Sequence, residues 1–397
     1  MAEEEMKINE VDDFFDLHYF ALNKKFQIIT GLWPLETGYL KYLKQGAMAS
    51  VIIWNLILFS HALGTFCGTN MDYCCENMIA FVYSTSAIFK LIGISTTGAK
   101  FTVIYRMIAR NWRNTTDKVE RSILEKYALI SKRLSLIYII AFSCIATIVT
   151  QLPFIPLLLN VIMPLNESRE AIIVINTDYS ITPYTKSGHL WVHYSLTGTT
   201  TAAVFIATDA TFLLVVFQIL AIFEVVKQRI RQAVLVAQES SEQKSYGILI
   251  KAVQLHKDAI QFLQLTDEAN SLQFFAGLGG TIFMISFGSI ALLIRMDAYA
   301  DLFRVVILTM GYLFQLFILC LLGELVINAS TELFNFPMLT DWHVLPIKSK
   351  KLILFFMGRT IRPSYYTAGG LYIMNVQNFA SIIKTAVSYI AVVLQFR

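Results

Sequence analysis

The 32 Lys and Arg residues of this 397-residue chain divide almost completely by the side of its apolar stretches on which they fall. Seven stretches, roughly 47–68, 78–98, 134–158, 193–223, 272–294, 303–326 and 371–396, are long and apolar enough to cross a bilayer, for which about 20 consecutive residues suffice. Five basic residues (Lys7, Lys24, Lys25, Lys41, Lys44) precede the first stretch, and the second, fourth and sixth loops carry nine, six and five. The first and third loops and the last residue carry none, two and one, and Arg295 with Arg304, at the outer edge of the sixth stretch, make two at the fifth, while Lys90 and Lys384 lie well inside stretches. That is 25 on one side against 5 on the other. Lys and Arg accumulate in cytoplasmic loops. The sequence therefore predicts an all-α integral membrane protein of seven transmembrane helices, N-terminus cytoplasmic and C-terminus extracellular.

Composition agrees. Hydrophobic residues make up 56% of the chain and charged ones 15%. The start, Met1-Ala2-Glu3-Glu4-Glu5, is acidic and the first apolar run begins near Ala47, so no cleavable signal is expected and the first span serves as insertion signal. The net charge of +4 does not point to nucleic acid, because the basic residues face the cytoplasmic leaflet, where anionic lipid is the partner. Cys67, Cys74 and Cys75 sit at the outer end of the first span and in the first outer loop, where oxidation is possible. The spacing allows one disulfide there, although a nine-residue loop barely needs it. Cys144 and Cys320 read as small apolar packing residues. With no CxxC pair and no HExxH, neither metal nor cofactor is expected. Of three glycosylation sequons, Asn166 falls in the third, outer loop and is the candidate for modification; Asn114 and Asn328 fall inside or at the inner end of span 6.

Nothing divides the chain, which reads as a single unit, 1–397. The long outer loop, 159–192, holds Pro164, Pro183 and Gly188 around a β-prone run, 171–175, and reads either as a lid or as an ordered surface loop. On the inner side, Val225, Val226, Ile230 and Val234 recur at helical spacing among basic residues, as do Leu249, Val253, Ile260 and Leu263. Spans 4 and 5 are thus expected to continue as amphipathic helices below the membrane. With 333–362, where 352–357 suggests a helical turn or two, segment 224–271 forms a cytoplasmic helical anchor suited to assembly contacts.

Few residues invite chemistry. Lys384 lies mid-span, where a Lys costs about 2.5–3.5 kcal/mol, so it either snorkels, pairs, or faces water. In the last case the final helix lines an aqueous path, with Val392, Val393 and Gln395 at a constriction. Lys90 in span 2 snorkels inward or pairs with Asp209 or Glu324. The outer halves of spans 2 to 6 collect aromatics and small hydroxyls. From these the candidate ligand site is drawn as Phe81, Tyr83, Ser86, Thr147, Thr150, Tyr194, Thr201, Phe205 and Phe287. Singly they suit helix packing; together they suit an apolar pocket for a small hydrophobic ligand. No GxSxG, Walker sequence or paired intramembrane carboxylate is present, so an enzyme is not expected.

The C-terminal third carries a resemblance. Arg362-Pro363, Thr367-Ala368-Gly369, Phe379, Lys384 and Ser388-Tyr389 before an aliphatic run, with Trp342 ahead of Lys348-Ser349-Lys350-Lys351, resemble the signature of insect odorant receptors. The resemblance implies an odorant-gated, non-selective cation channel at the plasma membrane of olfactory neuron dendrites. In it a small hydrophobic odorant or pheromone binds in the outer half of the bundle, the last helix lines the pore, and monovalent and divalent cations permeate. It also implies a heterotetramer with a shared coreceptor. That coreceptor carries a substantial insertion between spans 4 and 5, whereas segment 224–271 here is short, so the chain resembles a ligand-tuned subunit. Two alternatives remain: a homomeric, gustatory-receptor-like channel, and a metabotropic receptor, which requires an outside N-terminus.

Overall fold

The longest fully buried run belongs to α8 (Ser187–Gln238), in which every residue from 204 to 223 is buried. A helix that is predominantly apolar on every side has to be covered on every side, and α8 is accordingly the axle of the molecule. Around it stand α3 (Tyr39–Phe66), α4 (Met71–Thr96), α6 (Lys118–Gln151), α9 (Glu242–Ile294) and α10 (Tyr299–Asn335). The computed structural model describes residues 7–151, 154–164, 187–239, 241–294 and 299–395. Six of the described helices are long and apolar enough to cross a membrane: Tyr39–Phe66, Tyr73–Thr96, Lys118–Gln151, Trp191–Gln238, Glu242–Ala291 and Val305–Leu339. The last helix, α12 (Val376–Gln395), packs on α9 and α10.

Several boundaries differ from those expected. The second span begins at Met71 rather than 78, so only residues 67–70 separate α3 from α4. A Cys67–Cys74 disulfide ties the end of one to the first turn of the other, and Cys75 is buried and free. Span 3 ends at Gln151, not 158; α7 (Ile155–Ile162) follows, with Pro156 in its first turn, where a missing N–H costs nothing. The candidate lid and Asn166 largely or wholly fall in 165–186, outside the described residues.

At the opposite end from the disulfide the helices outrun any bilayer. At about 1.5 Å per residue, α8 and α9, 52 and 53 residues long, extend well beyond a hydrocarbon core of about 30 Å. As expected, their amphipathic ends form an antiparallel pair, closed where Ser245 Oγ donates to the Ala233 carbonyl at 2.8 Å. The remaining elements there were not foreseen in the sequence. α1 (Ile8–Phe14) and α2 (Ala21–Thr30) pack with α5 (Gly98–Asn114) around an aromatic cluster of Phe15, Phe20, Trp33, Tyr105 and Trp112. Gly31 ends α2 at φ +71°, and a Cβ there would stand 2.8 Å from the Lys41 carbonyl oxygen, so both the turn and the close approach require glycine. The short apolar run 352–357 belongs to a 14-residue helix, α11 (Ile347–Thr360).

Between α11 and α12 the chain makes a small hairpin, β1 (Thr367–Ala368) with β2 (Tyr372–Ile373), turning through Gly369 and Gly370, both at positive φ. Asp267 of α9 holds it, accepting from the Thr367 N–H at 2.6 Å and the Thr367 hydroxyl at 2.9 Å. Burial pushes the Asp267 carboxyl above its usual range, against the pull of these two hydrogen bonds. Glu324 of α10 accepts from the N–H of Val376, the first residue of α12. Both carboxylates therefore fix where the last helix starts.

Candidate ligand site and the last helix

Near the disulfide end, five helices splay around a cavity of about 140 Å³. The lining follows helical spacing. α6 contributes Phe142, Ile145, Ala146, Val149 and Thr150, and α8 contributes Tyr194, Thr197, Gly198, Thr201 and Ala202, each set at i, i+3, i+4, i+7, i+8. Ala80, Tyr83 and Ser84 come from α4, Asn55 and Phe59 from α3, Leu308 and Gly311 from α10. The volume exists because small residues face it from four helices: Ala80, Ala146, Ala202 and Gly311 among them. A Cβ at Gly198 would collide with Thr150 Cγ2, so that glycine lets α6 and α8 close at the cavity's edge.

Polar atoms on this wall are mostly spoken for. Tyr83 donates to the Leu308 carbonyl at 2.9 Å, Thr197 to Asn55 Oδ1 at 3.1 Å, and Thr150 to the Ala146 carbonyl at 2.9 Å. Beside the cavity, Trp191 Nε1 donates to Gln151 and Gln151 Nε2 to Ser195, at 2.8 and 3.0 Å. Two wall hydroxyls differ. Ser84, which is buried, and Thr201 make no hydrogen bond among the described residues. Both stand at the cavity wall, where a hydroxyl can donate and accept hydrogen bonds.

Of the residues read from sequence, Tyr83, Thr150, Tyr194 and Thr201 line the cavity, and Phe81, Ser86, Thr147, Phe205 and Phe287 do not. Phe81 and Thr147 lie one position off the lining residues Ala80 and Ala146, about 100° round their helices, and Thr147 is exposed. Phe287 is on α9, which contributes nothing to the wall; it stacks on Phe283 at 6.4 Å. Phe205 and Ser86 sit one turn deeper and build the floor. Phe205 stacks on Phe142 at 5.6 Å and leans on Tyr83 at 6.1 Å, while Ser86 hydrogen-bonds Tyr312, whose ring meets Tyr83 edge-on at 5.1 Å. Among the lining residues missed, Ala146, Gly198, Ala202 and Gly311 carry no chemical signal, whereas Asn55, Ser84, Phe142 and Thr197 do. The i, i+3, i+4 face through Tyr194 and Thr201 was the signal that could have found part of the set.

Beneath the floor lies a buried charge cluster. Lys90 of α4 pairs with Asp209 of α8, the pairing that the sequence left open, and both are almost fully buried. Tyr138 of α6 and Gln315 of α10 donate to Asp209 Oδ2 at 2.7 and 2.8 Å, and the Lys90 ammonium stands 5.1 Å from the Phe205 ring centre. Four helices are thus joined through one carboxylate. A group of Asp12, Asp13 and Asp16 near the far end has metal-like spacing. Lys24 already occupies it, at 2.9 Å from Asp12 and 2.8 Å from Asp16.

On α12, Lys384 is exposed, and Val392, Val393 and Gln395 fall in the final turns, where the helix is described but the side chains lie outside the described residues. The hydrophilic side of the helix and its few partners set it apart from the other long helices, which pack on several neighbours.

Residues 70–387 match the family model described as 7tm Odorant receptor. A Drosophila melanogaster relative, odorant receptor 59c, is 24% identical over 155 residues, which is 39% of this chain and 38% of that protein, so the match spans well under half of the relative's length. The fold is similar to that of the insect olfactory receptor OR5 from Machilis hrabei in complex with eugenol, at a TM-score of 0.75 and 13% identity over 96% of this chain and 100% of that one. A second structure of OR5 gives 0.70 and 12% over the same shares. The family model covers most of the sequence and the receptor fold covers nearly all of the chain: this membrane-spanning protein belongs to the 7tm odorant receptor family.

Proposed function

We propose that the chain is the ligand-tuned subunit of an odorant-gated, non-selective cation channel in the plasma membrane of olfactory neuron dendrites. It crosses the membrane seven times, N-terminus inside and C-terminus outside, with the disulfide end of the bundle facing out and Asn166 available for glycosylation there. A small hydrophobic odorant enters the cavity between α3, α4, α6, α8 and α10. The carrying observation is that cavity, walled almost wholly by apolar groups and left with two hydroxyls, Ser84 and Thr201, that are unpaired among the described residues. About 150 Å³ of apolar space accommodates a benzene ring, so the about 140 Å³ here suits a single ring or a short chain with one oxygen. Eugenol, held by the OR5 structure, is also a single ring bearing a hydroxyl, although its methoxy and allyl groups make it larger.

Opening is a population shift, in which the ligand binds the open arrangement more tightly than the closed one. α12 lines the conduit, with Val392, Val393 and Gln395 at its outer constriction, and monovalent and divalent cations pass. The chain works in a heterotetramer with the family's coreceptor, joined through the α8–α9 ends and α11, whose Ile347, Leu354 and Phe355 are exposed in the single chain. Voltage-clamp of cells expressing the chain with a coreceptor tests this. Compact oxygenated volatiles should evoke inward current. Absence of current across a broad panel, with the chain at the cell surface, rejects the channel. An epitope tag at Met1 should remain unstained on unpermeabilised cells; staining reverses the topology.

A further inference from the structure

The first half of α12 carries its polar residues on one uncovered face. Gln377, Ser381, Lys384 and Ser388 recur at steps of four, three and four along a single helix stripe, and all are exposed, with Thr385 beside them and the apolar Ala380 and Val387 between them. The other face packs inward through Phe379 and Ile382, with Phe379 against Phe317 at 5.3 Å. A stripe turned toward lipid would be apolar, because an ammonium group in hydrocarbon is strongly disfavoured. A stripe that carries Lys384 is better suited to water. Lys384 makes neither an ion pair nor a hydrogen bond among the described residues, so no carboxylate neutralises it. It stands eight residues from the start of α12 and eight short of Val392, about 12 Å from each at 1.5 Å per residue.

We propose that Lys384 sets the balance between divalent and monovalent cations in the conduit, an inference that rests on the reading of α12 as the lining helix. Cation-conducting filters draw their charge selectivity from acidic rings or carbonyls, so a fixed positive charge does not make such a conduit select cations. It discriminates among them. Repulsion scales with valence, and a calcium ion meets twice the barrier that a sodium ion meets. Across about 8 Å of water the extra unit of charge lowers relative calcium permeability about two- to threefold for each lysine present. The polar neighbours Ser381, Thr385 and Ser388 hydrate the ion without taking a charge preference of their own.

The test uses the full chain with its coreceptor, opened by whichever member of a panel of single-ring and short-chain volatiles activates the wild type. Reversal potentials are measured under calcium-outside, sodium-inside conditions. Lys384→Gln should raise the calcium-to-sodium permeability ratio about two- to threefold, Lys384→Glu should raise it further, and Lys384→Arg should leave it at the wild-type value. Lys384→Cys should behave like the Gln variant, return to the wild-type ratio after modification by a cationic methanethiosulfonate, and remain raised after a neutral one. Currents whose permeability ratio ignores all of these changes, or a thiol in the Lys384→Cys variant that the water-borne reagent never reaches, overturn the assignment of Lys384 while leaving the channel intact. A wild-type chain that gives no current with any member of the panel overturns the channel reading itself.

Discussion

The two ends of the bundle are stabilised in opposite ways. At the disulfide end, helices are held apart over a void edged by alanine and glycine, and two wall hydroxyls have no partner among the described residues. At the far end the rings and charges are held by close partners: Trp112 and Tyr105 are each 1% exposed, Trp112 Nε1 donates to Gln218 at 2.8 Å, and Arg229 grips Glu120 through two nitrogens at 2.7 and 2.8 Å. The aromatic layer and the Lys90–Asp209 cluster separate these regimes. The contrast teaches where sequence change is tolerated. A wall that already lacks contacts loses little stability when a side chain alters, so ligand preference can drift there, whereas the same change below the charge cluster undoes the fold.

The largest effect should therefore come from the far end. Trp112→Ala removes a fully buried ring and its hydrogen bond, a class of change that costs about 3–5 kcal/mol. Surface labelling should show the variant retained inside the cell. A wild-type surface level would show that the aromatic cluster is dispensable and would erase the contrast.

The boundary layer comes next. Lys90→Met strands the Asp209 carboxylate in a dry site, and breaking a buried pair from one side costs roughly 3–5 kcal/mol. The donors Tyr138 and Gln315 hold the loss near the lower figure. The double change Lys90→Met with Asp209→Asn removes both charges and should recover most of the surface protein. If the double variant is no better than the single, the pair is not what organises this layer.

A third test separates the ends by pH. His256, on the inner part of α9, is packed against Phe356 at 4.9 Å, and burial, helped by the Arg359 charge, lowers its pKa to about 4. In the unfolded chain an imidazole titrates near 6.5. Between those values the unfolded state takes up a proton that the folded state refuses, so stability falls as pH falls from about 6.5 toward 4, by up to roughly 3 kcal/mol. Thermal unfolding of purified receptor at pH 7.5 and pH 5 should show this loss, and His256→Gln should flatten it. An unchanged slope in the variant would move the acid sensitivity elsewhere.

What the sequence showed of all this follows from scale. Apolar runs and the i, i+4 stripes of 224–238 and 248–275 are properties of segments, and the helices reproduce them. The Lys90–Asp209 pairing was visible only as one option beside snorkelling and Glu324, because sequence alone does not say whether the ammonium is buried. The inner helices α1, α2 and α5 and the β1–β2 hairpin were not legible, since each is short and buries its side only against partners remote in sequence; Asp267 meets Thr367 across 100 positions. The cavity was half legible. Aromatic and hydroxyl content pointed to the right stretch of each helix, yet Phe81 and Phe287 drew attention by size while the space is made by what is small. Whether Ala146 is a packing residue or a wall is decided by the helix opposite, which its own neighbours do not encode.

The smallest effect on stability should be the one that reports most on the wall. Ser84→Ala and Thr201→Val delete the two unpaired hydroxyls with almost no change in volume, and with no protein partner left stranded the fold should stay within about 0.5 kcal/mol of wild type. Ligand recognition should not. A hydrogen bond to a neutral ligand oxygen is worth about 0.5–1.5 kcal/mol, so the combined variant should need several-fold more acetophenone for a half-maximal response. Its response to α-methylstyrene, which has the same shape without the oxygen, should be unchanged. Gly311→Ala supplies the matching control for size. Its new Cβ would stand 3.4 Å from the Tyr83 hydroxyl and 4.0 Å from Ile145 Cγ2, ordinary contact that strains nothing, so it narrows the cavity and should shift preference toward the smaller of two homologous ketones. If the hydroxyl deletions weaken both probes equally, those groups serve the packing of the wall after all, and the two ends of the molecule differ less than their geometry says.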